Sequence, residues 1–521
     1  MANLKSLAKD TAIYGLSSIV GRFLNYLLVP IYTAKLAAAD GGYGVITNIY
    51  AYVALLFVLL TFGMETTFFR FANKEGENPQ RVYSTVLMLV GAVGLLFVAL
   101  VLAFITSISS VLGYADHPSY VWVMAVTVAI DAFQSIPFAY LRYKKRPVKF
   151  AALKLLFIVM NIALNLFFFV VLPEINGKVT DVGYAFYINL FCTASVTLAF
   201  YSELKAGFFP SRRSSRLPEN SDGLEILENS GNSHSSFFIL HSSFFILHSS
   251  LIKRMLAYSW PILVLGIAGI LNQTADKILF PYIYKGPDAH AQLGIYGAAS
   301  KIAMIMAMIT QAFRYAYEPF VFGKAKDKDN RETYAKAMKY FIIFTLMAFL
   351  VVVGYISLLR HIIGRDYWVG LDVVPIVMVA EIMMGIYFNL SFWYKLTDRT
   401  IWGAWFSGIG CAVLIAVNVI FVPLYGYMAC AWAGVAGYGT AMTLSYLVGQ
   451  KKYPIDYPLS EILRYVALAA LLFFGMRAGG MFLPQWASLA VNTLLIAVFA
   501  AYIVRCDFPL SELPVVGRRF K

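Results

Sequence analysis

The chain has 521 residues, of which 60% are hydrophobic, 16% aromatic and only 13% charged. An average soluble domain is about 45–50% apolar and about 25% charged. This surplus of apolar side chains excludes a soluble enzyme, a coiled coil and a disordered chain. The long apolar runs with helical spacing predict an all-α polytopic membrane protein, whereas a lipid-facing β-barrel would show short alternating segments.

Fourteen apolar stretches follow one another along the chain, each near the roughly 20 residues that cross a bilayer. They lie at about 11–31, 42–64, 82–106, 120–141, 150–172, 182–202, 255–281, 291–320, 339–359, 370–393, 401–422, 428–448, 462–482 and 486–504. Each stretch is predicted to be a transmembrane helix.

The positive residues predict the orientation of these helices. The net charge is +14, from 42 Lys and Arg against 28 Asp and Glu. If the N-terminus is cytoplasmic, the inside segments hold 31 Lys and Arg and the outside loops hold 6. Because cytoplasmic loops carry the excess of Lys and Arg, we expect a multi-pass protein of the cell inner membrane with both termini in the cytoplasm. The basic charge then reflects topology, and no nucleic-acid partner is expected.

Residues 206–250 interrupt the apolar pattern. This stretch is polar and contains the heptapeptide HSSFFIL twice in tandem, at 234–240 and 241–247. The contiguous FFIL does not fit a coiled-coil heptad, and identical copies indicate a recent duplication. We predict a cytoplasmic low-complexity linker and favour it over a metal site at its three histidines. The four cysteines are scattered, so no metal centre or disulfide framework is predicted.

The linker separates two halves that match each other in register. Four landmark pairs are each 253 residues apart: Tyr43-Gly44 with Tyr296-Gly297, Glu65 with Glu318, Arg146 with Arg399, and Asn165 with Asn418. The first span repeats as well, since NYLLVPIY at 25–32 matches DKILFPYIY at 276–284. An offset of six spans preserves orientation, so the repeat is parallel, which is typical of transporters with a site between the halves.

The repeat and the linker predict four parts of the chain. These are an N-terminal six-helix lobe at 1–205, the linker at 206–250, a C-terminal six-helix lobe at 251–450, and two additional transmembrane helices with a cytoplasmic tail at 451–521.

Several stretches resemble one family of transporters. They are TAIYGLSSIVGRFLNYLLVPIYTAKL near the N-terminus, LNQTADKILFPYI followed by LGIYGAASKI, IPFAYLRYKKRPVKFAALKLLFIVMNIALN at 136–165, and NVIFVPLYGYMACAWAG at 418–434. In this order they resemble the polysaccharide-export, O-antigen-flippase-like branch of the multidrug/oligosaccharidyl-lipid/polysaccharide (MOP) exporter superfamily, which includes the MATE transporters. The likeness covers nearly the whole chain apart from 206–250.

The resemblance implies a V-shaped, two-lobed flippase. Its substrate would be an oligosaccharide linked to undecaprenyl diphosphate, such as a polysaccharide or lipopolysaccharide repeat unit, moved across the inner membrane by alternating access. Its expected partners are this lipid-linked substrate, membrane lipids, a polysaccharide polymerase and glycosyltransferases. No cofactor is expected beyond coupling to an H⁺ or Na⁺ gradient.

Cationic side chains inside the predicted spans are the candidate substrate-binding residues. A charge at a helix centre costs roughly 2.5–3.5 kcal/mol on insertion scales, so it usually faces a partner or a wet cavity. Arg and Lys in a water-filled cleft would replace the hydration of a diphosphate. The predicted set is Arg22, Asn25, Lys277, Lys301 and Arg314. Internal pairing is the alternative, because Asp276 adjoins Lys277 and Glu318 lies four residues after Arg314.

Three acidic residues inside the spans are the candidates for ion coupling. They are Asp276, Asp131 and Glu381, of which Asp276 fits best because it lies among the bases of the seventh and eighth spans. Glu65 and Glu318 end their spans on the predicted cytoplasmic side, so we interpret them as interface anchors.

Three other classes of protein remain as alternatives. A lipid II flippase differs from the predicted protein only in its cargo, and a cation-coupled multidrug antiporter would favour an acidic, aromatic lumen over this basic one. A membrane glycosyltransferase is the remote alternative, because the one DxD, Asp327 to Asp329, lies in a short basic loop without a glycine-rich phosphate cradle. No catalytic activity is expected.

Overall fold

The computed structural model describes residues 26–177, 180–208, 249–324, 330–397 and 399–507, with the side chains of 249, 315–324 and 330 left out. Within these ranges every regular element is a helix and none is a strand. The predicted all-α polytopic fold is confirmed.

The first half of the chain contains ten described α-helices. They are α1 (Leu28–Lys35), α2 (Gly42–Thr61), α3 (Met64–Ala72), α4 (Pro79–Ala103), α5 (Ile105–Val111), α6 (Pro118–Tyr143), α7 (Pro147–Leu166), α8 (Leu172–Asn176), α9 (Gly183–Ala199) and α10 (Tyr201–Phe208). A π-helical turn, Phe167–Val171, joins α7 to α8.

The second half contains ten more α-helices in its described ranges. They are α11 (Ser249–Ile283), α12 (Ala289–Lys324), α13 (Asn330–Gly354), α14 (Ile356–Leu359), α15 (Val373–Leu390), α16 (Phe392–Leu396), α17 (Ile401–Tyr425), α18 (Tyr427–Lys452), α19 (Leu459–Phe482) and α20 (Gln485–Cys506). Two 3₁₀-helices, Arg360–Ile362 and Arg365–Asp372, lie between α14 and α15.

Short local signals set where several helices begin. Asn78 caps α4, because its side-chain oxygen accepts hydrogen bonds from the backbone N–H groups of Gln80 at 2.9 Å and Arg81 at 3.4 Å. A proline occupies the first helical position of α4, α6 and α7, where its missing N–H would be unpaired in any case.

Within the described residues, eleven helical segments are long and apolar enough to cross a membrane, or twelve if the pair α9 and α10, bent by 65°, forms one span. The predicted count of fourteen is therefore not confirmed. The first predicted span, 11–31, lies mostly outside the described residues. The span predicted at 428–448 is a helix in the structure, α18, but it does not belong to the eleven.

The described helices form two compact units. Among the described residues, the first comprises those within 49–270, and the second comprises 26–48 and those within 271–507. These units differ from the predicted lobes at 26–48 and 251–270, and the four-part division of the chain stays a prediction. Most of the predicted linker, 209–248, lies outside the described residues.

Aromatic packing forms the core of the first unit. Tyr83 and Tyr140 stack with their ring centroids 3.9 Å apart, and Phe68 packs edge to face with Tyr83 at a centroid distance of 6.0 Å.

The first unit also contains a buried ion pair partner. The carboxylate of Glu203 accepts a hydrogen bond from Lys149 Nζ at 2.6 Å. This ion pair fastens α10 to the start of α7.

The second unit contains a segment from near the start of the chain. Within it, Tyr367 donates a hydrogen bond from its hydroxyl to the carbonyl of Leu36 at 2.8 Å. The N–H of Gly364 donates to Thr33 Oγ1 at 2.9 Å, and a Cβ at Gly364 would lie 2.0 Å from the carbonyl oxygen of Thr33. These contacts hold residues 26–48 against helices from the second half of the chain.

The last two helices, α19 and α20, pack on α13. Asn492 Nδ2 donates to the carbonyl of Gly354 at 2.8 Å, and the hydroxyls of Thr493 and Tyr355 lie 2.8 Å apart. Lys339 forms ion pairs with both Glu461 and Asp507. The two helices predicted beyond the repeat are therefore tied to the second unit by polar contacts along the length of α13.

Candidate functional site

An ion pair between the buried Asp276 and the partly buried Lys277 lies on α11 in the second unit. The carboxylate of Asp276, a residue only 7% exposed, accepts hydrogen bonds from Lys277 Nζ at 3.0 and 3.1 Å and from the Lys277 backbone N–H at 2.9 Å. Tyr296 on α12 donates its hydroxyl to the same carboxylate at 2.6 Å. Lys277 Nζ also donates to the carbonyl of Gln273 at 3.0 Å. Asp276 thus compensates the charge of Lys277.

Lys301 adds a second positive charge beside this pair. It is partly buried on α12, one to two turns after Tyr296, and it interacts electrostatically with Lys277. Among the side chains that the structure describes, no carboxylate lies within ion-pair distance of Lys301. The three residues Asp276, Lys277 and Lys301 therefore carry one net positive charge when all are ionised.

Polar contacts from neighbouring helices fix the backbone around the pair. Asn48 Nδ2 donates to the carbonyl of Lys277 at 2.7 Å, and Tyr438 donates to the carbonyl of Asn272 at 2.9 Å. Asn272 Nδ2 in turn donates to the carbonyl of Ser407 at 3.1 Å. These bonds tie α11 to α2, α17 and α18. They hold the charged side chains in one place within apolar surroundings.

Glu381 on α15 lies within electrostatic range of Lys277 and of Tyr438, so it belongs to the same group of charges. We refer to Asp276, Lys277, Lys301 and Glu381 as the charged cluster of the second unit. Its net charge is zero when Glu381 is ionised and +1 when Glu381 is protonated.

Arg314, also on α12, lies apart from this cluster. It follows Lys301 by 13 residues in the sequence, which at 1.5 Å per residue corresponds to about 20 Å along the helix. Its guanidinium lies over the ring of Phe388, 5.0 Å from the ring centroid. The structure therefore brings Lys277 and Lys301 together with Asp276, and it places Arg314 elsewhere in the same unit.

The first unit contains a polar group of its own. Asp131 on α6 accepts a hydrogen bond from Thr193 on α9 at 3.1 Å and interacts electrostatically with Lys154 on α7. The ammonium of Lys154 lies 4.0 Å from the ring centroid of Phe138. The sequence alone suggests a role for Asp131 but none for Lys154, because no nearby sequence signal links α6 to α7.

Two further predictions concern residues in the first copy of the repeat. Arg22 and Asn25 lie outside the described residues, so their roles stay predictions. Glu65, interpreted as an interface anchor, forms an ion pair with Arg142. The sequence does not indicate the contact of Tyr296 with Asp276, although Tyr296 is a repeat landmark.

In the described part of the chain, no three His, Cys, Asp or Glu residues are arranged to hold a metal ion.

The arrangement in the second unit offers two chemical capabilities. First, the positive charge that Lys301 adds beside the ion pair can bind an anion. The bound anion is then not left unpaired in a region of low dielectric constant. A carboxylate in the same cluster can change that charge by one when it gains or loses a proton or pairs with a cation.

Comparison with solved structures places this fold among known transporters. A structure described as "Lipid II flippase MurJ, inward closed conformation" matches with a TM-score of 0.65 and 14% identity, covering 94% of this chain and 98% of that chain. An inward-facing multidrug resistance MATE family transporter of the MOP superfamily matches with a TM-score of 0.59 and 14% identity, covering 82% and 93%.

A third match is the MATE multidrug transporter DinF-BH in a ligand complex, with a TM-score of 0.56, 16% identity, and coverage of 85% of this chain and 95% of that chain. No protein-family model matches the chain, and neither does any curated protein. The chain therefore has a fold shared by MurJ and the MATE transporters, as the sequence predicted. Membership of the O-antigen-flippase-like branch stays a prediction.

Proposed function

We propose that this protein is a flippase of the cell inner membrane that exports an undecaprenyl-diphosphate-linked oligosaccharide, a repeat unit of a polysaccharide or lipopolysaccharide, by alternating access. The observation that carries the proposal is the charged cluster of the second unit, in which Lys301 adds a positive charge to the Asp276–Lys277 pair. The fold supports a transporter of the MOP type.

The diphosphate is the part of the substrate that this cluster suits. A diphosphate cannot enter hydrocarbon alone, because transferring an unpaired ionised group from water into a medium of low dielectric constant costs on the order of tens of kcal/mol. Lys301 would donate to its oxygens, and Lys277 would join when its bond to Asp276 loosens. Asp276 keeps Lys277 compensated in the absence of substrate, so the empty transporter does not hold two unpaired bases.

Asp276 and Glu381 are the proposed coupling carboxylates within this cluster. A proton on Glu381 would raise the net charge of the cluster from zero to +1 and so favour the anionic headgroup. A sodium ion at Glu381 would change the charge in the same way, and Asp131 in the first unit is a further proposed coupling carboxylate.

Two related functions compete with this one. The MurJ match favours lipid II as cargo, because lipid II and a lipid-linked oligosaccharide present the same kind of charged headgroup. The MATE matches favour multidrug export, but a cluster whose net charge is zero to +1 does not suit a cationic drug. These structural neighbours are transporters and flippases, which is consistent with a protein that has no catalytic activity.

Substitution of Lys301 tests the proposal. We expect Lys301→Gln to lower export at least tenfold, measured as surface glycan per folded transporter, whereas Lys301→Arg keeps part of the activity through its charge. Lys336→Gln is the matched control, because Lys336 is 64% exposed and pairs with Glu332 on the surface of α13. Normal export by Lys301→Gln would contradict the proposed headgroup contact.

The lipid that accumulates in cells depleted of the protein identifies the cargo. Accumulation of an undecaprenyl-diphosphate oligosaccharide supports polysaccharide export, and accumulation of lipid II would replace the proposed cargo. Efflux of a cationic dye that depends on Glu381 but not on Lys301 would favour the multidrug antiporter.

A further inference from the structure

Residues 360–372, between α14 and α15, are held firmly within the second unit, and we refer to them as the α14–α15 segment. Its two 3₁₀-helices are joined near Gly364, whose N–H donates to Thr33 Oγ1. The fully buried Tyr367 donates its hydroxyl to the carbonyl of Leu36. The side chains that project from this segment therefore start from a fixed backbone.

Cationic side chains surround one indole ring of the α14–α15 segment. Trp368 Nε1 donates to the carbonyl of Arg360 at 2.8 Å and to that of Ile363 at 3.2 Å, which fixes the ring. The guanidinium carbon of Arg360 lies 4.3 Å from the centroid of the Trp368 ring, and that of Arg365 lies 6.0 Å from it. The ring of His361 meets the indole edge to face, with the centroids 5.3 Å apart. Two arginines and a histidine are thus gathered at one place.

The charge of these arginines is not compensated by ion pairs in the part of the chain that the structure describes. No carboxylate there lies within ion-pair distance of Arg360 or Arg365, whereas Arg477 on α19 pairs with Asp372 at 2.8 Å. Asp366 is exposed on the same segment. Counting all five of these residues, the net charge is +1 with the histidine neutral, and the guanidinium N–H groups of the two unpaired arginines remain available to an anion.

These positive charges lie on the side of the membrane where the chain has few others. Only six Lys and Arg fall in the predicted outside loops, and three of them are Arg360, Arg365 and Arg477. The positive-inside rule explains cationic loops in the cytoplasm and disfavours them outside. The topology of the chain therefore gives no reason for the charge of the α14–α15 segment, and a ligand does.

Exposed apolar side chains border the cationic ones. Leu358 is 50% exposed and Val369 is 64% exposed, while the ring of Trp368 is partly exposed between them in sequence. Tryptophan is enriched at the boundary between membrane and water, where one side of its ring is apolar and the other is wet. Arginine binds phosphate oxygens through its planar fork of N–H groups. Donors for a phosphate beside apolar side chains suit a phospholipid, whereas a soluble anion would leave the apolar side chains without contact.

We propose that the α14–α15 segment binds the phosphate of an anionic phospholipid at the outer surface of the membrane, through Arg360 and Arg365, with Trp368 placed at the boundary between headgroup and acyl chains. The proposal goes beyond the proposed function, because it holds for any cargo. The segment also contacts residues 33–36, so the bound lipid should stabilise the second unit.

The test compares the full-length protein in nanodiscs of phosphatidylcholine alone with nanodiscs that also contain phosphatidylglycerol. We expect phosphatidylglycerol to raise the unfolding temperature, and the variant Arg360→Gln/Arg365→Gln to lose most of that rise. In native mass spectrometry of the detergent-solubilised protein, this variant should bind added phosphatidylglycerol about tenfold more weakly, as expected for the loss of two cations beside a lipid phosphate.

A matched control removes the same charge elsewhere in the second unit. Lys451 and Lys452 are exposed at the end of α18, so Lys451→Gln/Lys452→Gln should keep the rise in unfolding temperature. Arg360→Lys/Arg365→Lys should keep part of it, because it retains both charges but not the planar forks. Any loss of the stacking on the indole ring lowers the unfolding temperature in phosphatidylcholine alone, so the rise caused by phosphatidylglycerol reports lipid binding separately.

Three results would overturn the proposal. They are the absence of any rise with phosphatidylglycerol, an equal loss of the rise in the arginine and lysine glutamine variants, and an equal rise when soluble glycerol 3-phosphate is added to phosphatidylcholine nanodiscs. The second result would show a general effect of net charge, and the third would make the ligand a soluble phosphate. None of these measurements depends on export, so a failure here leaves the Lys301 test of the proposed function standing.

Discussion

Two helix starts that the repeat relates to each other share the same close backbone packing, but the side chains beside them have different roles. Tyr43-Gly44 begins α2, and Tyr296-Gly297 lies near the start of α12. A Cβ on Gly44 would lie 1.8 Å from the carbonyl oxygen of His290, and a Cβ on Gly297 would lie 2.4 Å from the hydroxyl of Thr47. The two helices therefore cross where each presents its repeat glycine to the other.

The tyrosines beside these glycines serve different purposes. Tyr43 packs among aromatic rings, with the Tyr367 ring centroid 6.1 Å away, whereas Tyr296 donates its hydroxyl to Asp276. The residues that match Asp276 and Lys277 in the first copy are Asn25 and Tyr26. The repeat preserves the backbone crossing, and at these two positions only its second copy has residues of opposite charge. Packing positions and charged positions have thus diverged independently.

Breaking the crossing should have the largest effect. Gly44→Ala places a methyl group against a backbone carbonyl that cannot rotate away, so we expect a loss of about 3 kcal/mol of stability. Gly297→Ala meets Thr47, a stiff β-branched side chain whose Oγ1, Cγ2 and Cβ atoms would lie 2.4, 3.0 and 3.2 Å away, and it should cost about 2 kcal/mol. Thermal unfolding in nanodiscs measures both.

Gly269→Ala is the control for these glycines, because no atom lies within 4 Å of a Cβ there. It should be neutral or stabilise the helix by up to about 1 kcal/mol. Equal losses at Gly44 and Gly297 would mean that the crossing tolerates a methyl group on either helix alike.

Converting the second copy toward the first tests the ion pair. Asp276→Asn leaves the partly buried ammonium of Lys277 without its counter-ion, which should cost about 1–3 kcal/mol of stability. The double substitution Asp276→Asn/Lys277→Tyr removes both charges and should recover most of that stability while export stays at least tenfold below normal. Stability is measured by thermal unfolding and export as surface glycan per folded transporter.

The double variant separates structure from function. Full recovery of export together with stability would show that the pair is only structural. A double variant less stable than Asp276→Asn alone would contradict the interpretation of the two residues as a compensated pair.

Arg22 extends the comparison into the first copy, where it matches Gln273 of the second. The sequence places it mid-span with no acidic residue within four positions, and a diphosphate contact predicts that Arg22→Ala abolishes export with the protein still inserted. Arg22→Lys should keep part of the activity, because it retains a point charge but not the bidentate fork. Normal surface glycan per folded molecule of Arg22→Ala would contradict the headgroup assignment.

The sequence predicts the transmembrane helices well, because an apolar run of about 20 residues seldom forms any other kind of structure. It does not predict the breaks inside them. The π-helical turn Phe167–Val171 lies inside the stretch 150–172, which is predicted as one continuous span. At Phe62 and Gly63, beside the predicted end of the second span at 64, the backbone has φ of 49° and 67°. Only the glycine gives a local hint, because a positive φ suits it.

The site is predictable to the extent that its parts are neighbours in sequence. The pairing of Asp276 with Lys277 can be predicted because the two residues are neighbours in the sequence. Such internal pairing is the alternative to headgroup binding that the sequence offers for Lys277. The bond from Tyr296 and the charge of Glu381 come from other helices, so they require the three-dimensional fold. The helical rise per residue already implies that Lys301 and Arg314 lie about 20 Å apart along α12. Their shared positive charge, however, suggests from the sequence that both belong to one site.

The smallest expected difference concerns two asparagines that the repeat keeps. Asn165 Nδ2 donates to the carbonyl of Asn161 at 2.8 Å and to its side-chain oxygen at 3.1 Å. Asn418 Nδ2 donates to the carbonyl of Leu414 at 2.9 Å, while its Oδ1 is buried and has no partner in the described part of the chain. Replacing Asn418 by leucine removes an unsatisfied oxygen along with one hydrogen bond, so Asn418→Leu should change stability by less than about 0.5 kcal/mol. Asn165→Leu loses two bonds and leaves the Asn161 side chain without this donor, which should cost about 1–2 kcal/mol. Thermal unfolding of the two variants measures the difference, and equal losses would show that the repeat preserves the energetics of this position as well as its residue.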